Sequence, residues 1–285
     1  GTVLHTRPRG PLESRTPISI GVELFGEAAL SADIEVIELF LQTLRTSGVD
    51  QVHLDVGHVD IFRGLLAGSH LDADNESMLF ELLQRKASAE LNDWINLNIS
   101  DKKLGGWLKA LPGLAGSIEV IGAAKKALNG APIAVMQAID ELEKVVDAVA
   151  KTGVSIHIDL GELPGYHYHT GVVFAGYVQG YGKALGNGGR YDHVGEAFGR
   201  ARPATGFAFD LKTLVVQGER PENTVGGIFV PYTSDNECHH QVAVLRSQGN
   251  RVVQGFQDQI VDLLELKCDR QLVNIDGKYV IQSGT

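Results

Sequence analysis

Cysteine is scarce in this chain, with only Cys238 and Cys268 among 285 residues. Two thiols so far apart cannot form a disulfide framework or a zinc ribbon, so reduced thiols in a cytosolic protein are expected. Cys238-His239-His240 sets metal-ligating types side by side, but adjacent residues of a helix point in different directions, and no metal is expected there. Positive charge is also short, with 25 Lys and Arg against 35 Asp and Glu, a formal net charge of −10. A surface that wraps nucleic acid needs clustered cations to neutralise phosphates, so no nucleic-acid partner is expected. No apolar run reaches the length needed to span a bilayer, and the N-terminus lacks the basic-then-apolar order of a signal peptide, which argues against a membrane partner. The length suffices for a sizeable core, as one large domain with a small appendage or as two domains.

What the chain has in abundance is glycine, and its use is uneven. The stretch from Gly161 to Asp192, GELPGYHYHTGVVFAGYVQGYGKALGNGGRYD, mixes aromatics, histidines and glycines between two strand-like runs. Alternation over Thr170 to Val178 predicts a strand, the Gly/Asn cluster at 180–189 a turn, and the whole an antiparallel meander lining a pocket. The residue types alone leave two readings open. Tyr168 and His169 are either pocket walls or satisfied core residues, and the glycines either floor a site or serve tight turns. Arg190 and Asp192 are expected to pair with one another and fix the glycine turn, and Tyr166 and His167 to lie at a pocket edge or interface.

Around this stretch the pattern is that of an α+β protein. Val3-Leu4-His5-Thr6 and Ile18 to Leu24 read as two strands of a hairpin joined by an Arg/Pro-rich loop. From Ser31, a plausible N-cap, Ile34, Ile37, Phe40, Leu41 and Leu44 form a helical apolar stripe, with Asp33 and Glu35 in the first turn and Gly48 as the stop. QVHLDV, ending at Val56, alternates like a strand. Residues 58–150 read as a helical insertion with caps expected at Asp72 and Ser100, and no chemistry is assigned to it. Strands follow at Thr152 to Asp159 and Arg202 to Phe209, then a helix from Asp210. The tail reads as strand Gly227 to Pro231, helix Asp235 to Gln248, strand Arg251 to Gln254, a short helix, and a strand pair turning at Asp276-Gly277. The division expected is a core of residues 1–217, carrying the insertion, and a small C-terminal α/β appendage of residues 218–285.

PGYHYHTGVVFA (Pro164 to Ala175) and GGRYDH (Gly188 to His193) resemble two segments of histidyl-tRNA synthetase that read approximately RGLDYYTGTVFE and GGRYDG. The YHYHTGVVFA form is similar to the synthetase-like regulatory subunits of ATP phosphoribosyltransferase. The resemblance implies a class II aminoacyl-tRNA synthetase-like antiparallel sheet flanked by helices, and a chain without the family's upstream first motif. It places Glu23 where the synthetase has the acid that recognises the substrate imidazole, His169 and Tyr191 at ring-lining tyrosines, and Tyr168 and Gly189 beside them. Ser19 stands where a glutamine is expected near the ligand's amino group.

Adenylation needs positive charge around the reacting phosphates. Aligning Arg7-Pro8 with the family's ERP places Leu4, Pro164 and Thr213 at the three arginine positions, the last within Gly206 to Leu214, which resembles GFAxGLERL. The resemblance therefore implies a non-catalytic subunit without a cofactor. It would bind L-histidine as effector through Glu23, Ser19, Tyr168, His169, Gly189 and Tyr191. It would assemble in the cytoplasm with the short-form catalytic subunit, itself a dimer within the hetero-oligomer. A histidine–tRNA ligase core fragment is the alternative, and a ligase-like enzyme acting on free histidine a third reading.

Overall fold

A computed structural model describes residues 1–6, 14–161, 165–166, 168–218, 226–257 and 259–283. The expectations placed on Arg7-Pro8, Pro164 and His167 lie outside the described residues. By its internal contacts the chain divides into Gly1–Glu219 and Arg220–Thr285.

The first unit begins with a hairpin-like approach: Val3 N–H donates to Pro17 O (2.9 Å) and His5 N–H to Arg15 O (2.8 Å). Only the second arm is a regular strand, β1 (Ser19–Phe25). Helix α1 (Leu30–Thr46) follows, and its N-cap is Ala29 rather than Ser31, without a side-chain cap; the Glu27 carboxylate accepts from the Ala29 N–H just ahead of the first turn. Gly48 ends it with φ 80°, a left-handed conformation that glycine adopts without penalty.

Next come β2 (His53–His58), α2 (Val59–Leu66), α3 (Ala73–Gln84), α4 (Ser88–Asn98), α5 (Lys102–Ala110), the two-residue β3 (Ala115–Gly116), α6 (Val120–Ala127) and α7 (Ile133–Ala150). Asp72 caps α3 as expected, but α5 is capped by Asp101, whose carboxylate accepts from Lys103 and Leu104 N–H, and not by Ser100. Strands β4 (Ser155–Asp159), β5 (Val172–Tyr177), β6 (Gly186–Arg190) and β7 (Ala204–Asp210) complete the sheet, and α8 (Leu211–Gln217) follows, capped by Asp210.

The seven strands lie in the order β1-β7-β6-β5-β2-β4-β3. Pairing is antiparallel throughout except between β2 and β4, which run parallel because α2 to α7 carry the chain between them. One face of the sheet meets α1. Phe40 stacks on Phe209 (centroids 4.7 Å) and meets Phe174 and Phe207 edge-on, and a Cβ on Gly176 would come within 2.8 Å of the Phe40 ring. The buried stripe of α7, from Val135 to Val149, joins the same core.

The second unit holds β8 (Gly227–Val230), α9 (Asn236–Ser247), β9 (Val252–Gln254), β10 (Cys268–Ile275) and β11 (Lys278–Ser283), in the order β11-β10-β8-β9. Asp276 and Gly277, at φ 51° and 82°, make the two-residue hairpin turn that their types favour. The short helix expected before β10 does not form. Asp262 instead closes a single turn, its carboxylate accepting from the Leu264 and Glu265 N–H groups and its carbonyl from the Leu266 N–H, and the chain enters β10 directly after it. Cys238 is buried under the sheet while His239 and His240 are exposed, and both cysteines are free thiols.

Candidate functional site

The face of the large sheet away from α1 carries the site, and strand register builds it. Residues directly opposite one another in an antiparallel ladder share a face. One such row runs Glu23, Gly206, Gly189, Val173, Gly57 across β1, β7, β6, β5 and β2, and the next runs Gly21, Ala208, Asn187, Ala175, Asp55. The result is a floor of small residues with an acid at one end. Aromatics occupy the opposite face of the same strands, so the glycines that weaken these strands locally leave open space above them.

A cavity of about 170 Å³ lies on this floor, lined by Glu23, Gly165, Tyr168, His169, Asn187, Gly188, Gly206, Phe207 and Ala208. Glu23 accepts no hydrogen bond from any described residue. Glu23 is exposed on the edge strand β1, and partial burial of its carboxylate against the floor raises its pKa; a Cβ on Gly206 would overlap that carboxylate. Across from it, Tyr168 is half-exposed, and burial followed by the charge of Glu23 pushes its hydroxyl up. His169 is 7% exposed, with its ring held between two glycines. A Cβ on Gly165 would stand 2.5 Å from its Nδ1, and one on Gly189 2.9 Å from its Cδ2. Both glycines are therefore required by close approach, and Gly165 also by its φ of 69°.

The expected residues separate by position. Glu23, Tyr168 and His169 meet at the cavity, and Gly189 underlies the His169 ring. Tyr191 stands behind, stacked on Tyr168 (5.3 Å) and edge-on to Phe25 (6.5 Å). Ser19 shares the face but sits at the far end of β1, opposite Asp210, and does not line the cavity. Asn187, Gly206 and Ala208 also line the cavity, and the small-residue alternation of β6 and β7 is the sequence signal that points to them.

Arg190 is not available to a ligand. Its side chain, 8% exposed, forks onto Asp33 (2.7 and 3.0 Å) and also donates to Asp192 (3.2 Å) and to the Glu27 carbonyl (3.2 Å). Burial raises the Asp33 pKa, and the hydrogen bonds and charge of Arg190 offset only part of that rise. Asp192 is present as the partner expected, but it is the lesser one. Its carboxylate also accepts from Ala204 N–H, and its own N–H donates to Thr170, so GGRYD is tied to three neighbouring segments.

The helical stretch assigned no chemistry supplies the support for the cavity wall. Arg63 of α2 donates to the carbonyls of His169 (2.5 Å) and Tyr166 (2.6 Å). Tyr166 is buried against Phe62 and Phe80, not at an edge, and gives its hydroxyl to Glu76 of α3 (2.5 Å); burial and that bond keep it protonated.

Among the described residues no Lys or Arg lines the cavity. Leu4 is 68% exposed, and the Thr213 hydroxyl donates to Asp210 at the start of α8.

Comparison with known proteins gives a consistent grouping. The histidyl-tRNA synthetase family matches residues 1–214, and the C-terminal domain of ATP phosphoribosyltransferase subunit HisZ matches residues 225–282. An ATP phosphoribosyltransferase regulatory subunit from Teredinibacter turnerae is 44% identical over 289 residues, covering 99% of this chain and 73% of that protein. Among solved structures, an ATP phosphoribosyltransferase regulatory subunit/histidyl-tRNA synthetase from Bacillus halodurans superposes with a TM-score of 0.76 at 25% identity, over 93% of this chain and 69% of the other. A chain of the HisG:HisZ ATP phosphoribosyl transferase complex from Thermotoga maritima shares the fold, with a TM-score of 0.55 at 18% identity over 69% and 66% of the two chains.

Proposed function

The chain belongs to the family of ATP phosphoribosyltransferase regulatory subunits, and from that premise we propose that it reads L-histidine in the Glu23 cavity and conveys that reading to a short-form catalytic subunit. Its role is regulatory, in histidine biosynthesis, at the step where the transferase joins ATP to phosphoribosyl pyrophosphate. The observation that carries the sensing role is a carboxylate of raised pKa, unbonded to any described residue, facing Tyr168 and His169 across a cavity with no Lys or Arg among its described lining residues. A ring N–H donated to Glu23 would satisfy that carboxylate with a charge-assisted bond, which an apolar amino acid cannot offer.

The subunit is itself non-catalytic in this reading. Among the described lining residues, charge developing on ATP phosphates would meet Glu23 and no Lys or Arg, which favours the regulatory reading over the histidine–tRNA ligase alternative. The assembly proposed is a cytoplasmic hetero-oligomer containing a self-dimer of this chain. Among the described residues no helix is long and apolar enough to cross a membrane.

Calorimetry on the full-length protein tests the reading. L-histidine should bind, Glu23→Ala should weaken it by about 1–3 kcal/mol, and leucine should not compete. Histidine-dependent exchange of pyrophosphate into ATP should stay at background. With the catalytic subunit added, a complex should form whose transferase activity responds to histidine, and Glu23→Ala should blunt the response without preventing assembly. Equal binding of leucine, or a response indifferent to the substitution, refutes the sensing role.

A further inference from the structure

Arg63 lies outside the cavity, yet its guanidinium is directed at the segment that forms the cavity wall. Its two terminal nitrogens reach the carbonyls of residues 166 and 169, and its carbon stands 5.0 Å from the centroid of the Tyr166 ring. Tyr166 is in turn anchored by the aromatic rings of α2 and α3 and by Glu76. The wall segment itself is a tight turn, with the Tyr168 and His169 N–H groups both donating to Gly165 O at 2.9 Å. A turn opening on a left-handed glycine has many conformations of similar energy, and something must select one.

We propose that Arg63 is the positioning residue of the cavity. By holding the carbonyls on either side of Tyr168 it fixes the two side chains that close over the glycine floor, and so sets the affinity of the site. The inference rests on the histidine reading for the identity of the ligand, though not for the tether. A planar fork matches two carbonyls and one ring face together, and a lysine ammonium cannot reproduce that geometry. Ordering supplied in advance by the protein is ordering that the ligand does not have to supply. The Arg63 side chain is 32% exposed, so the apolar core of the unit does not depend on it.

The experiment compares full-length wild type with Arg63→Lys, and with Arg63→Ala as the second variant, by hydrogen exchange and by histidine calorimetry. In the unliganded protein, exchange of the Tyr168 and His169 amides should accelerate by about tenfold in Arg63→Lys and further in Arg63→Ala, while amides of β8 and β10 are unchanged. The histidine Kd should rise by roughly fivefold to twentyfold in Arg63→Lys, with the melting temperature nearly unchanged. Unchanged exchange at both amides overturns the tether. Accelerated exchange with an unaltered histidine Kd overturns its role in affinity. If wild type itself binds no histidine, the sensing reading and the affinity role fail together, while the exchange measurement still decides the tether.

Discussion

Asp33 and Glu23 are two carboxylates of the same unit placed in opposite circumstances. Asp33 is buried, and the Arg190 guanidinium is forked onto it. Glu23 stands at the edge of a floor of small residues, desolvated enough to raise its pKa and bonded to no described residue. Both depend on the GGRYD stretch, which sends Arg190 to one side of β6 and leaves Gly189 on the other. A charge whose bonding capacity is used by the fold contributes rigidity. A charge whose capacity is left open, at a desolvation cost, can be satisfied by a ligand.

Three substitutions would break or sharpen that contrast. Asp33→Ala should be the most damaging, because it strands Arg190 in the interior; a loss of about 3–5 kcal/mol is expected in urea denaturation. A loss below about 1 kcal/mol would place the stability of the motif elsewhere. Gly206→Ala should follow, since the added methyl meets the Glu23 carboxylate and, at 2.5 Å, the Val22 carbonyl. Overpacking of this kind costs about 1–3 kcal/mol, and displacement of Glu23 should abolish histidine binding measured by calorimetry on the folded fraction. Retained binding would show that Glu23 does not contact the ligand.

The smallest effect is the most diagnostic of the open carboxylate. The Glu23 pKa is raised in the folded state, so the folded protein holds this proton more tightly than the unfolded chain does. Its contribution to stability is present below the unfolded value of about 4.3 and is lost as pH rises through the folded value. Glu23→Gln lacks this titration. Between about pH 4 and neutrality, wild type should therefore lose melting temperature relative to Glu23→Gln, by a small amount because the side chain remains open to solvent. A flat difference across that window would mean that the carboxylate is not desolvated.

Local pattern carried the helix stripe of α1, the Asp72 cap and the Asp-Gly hairpin, because each depends on residues within one or two turns of chain. The caps at Ser31 and Ser100 and the helix before β10 are not where it places them: α1 begins ahead of Ser31, Asp101 beside Ser100 takes the Lys103 and Leu104 N–H groups, and Asp262 closes a local turn. Within the site, residue type and resemblance brought out Glu23, Tyr168 and His169, which share the cavity. They did not distinguish Ser19 from residues that reach it, because Ser19 lies on the same face of β1 and differs only in distance along the strand.

The sequence by itself determined the periodicities, the turns and the chemical types available: an acid in a strand, a Tyr-His pair after a glycine, and strands too poor in side chains to fill their own face. Tertiary structure decided which of these meet. Arg190 takes as its chief partner Asp33, 157 residues away, in preference to Asp192 two residues on, and Arg63 reaches His169 across 106 residues. The physical reason is strand register and helix placement. They are settled by the packing of the whole core around Phe40, and no short window of sequence contains both ends of such a contact.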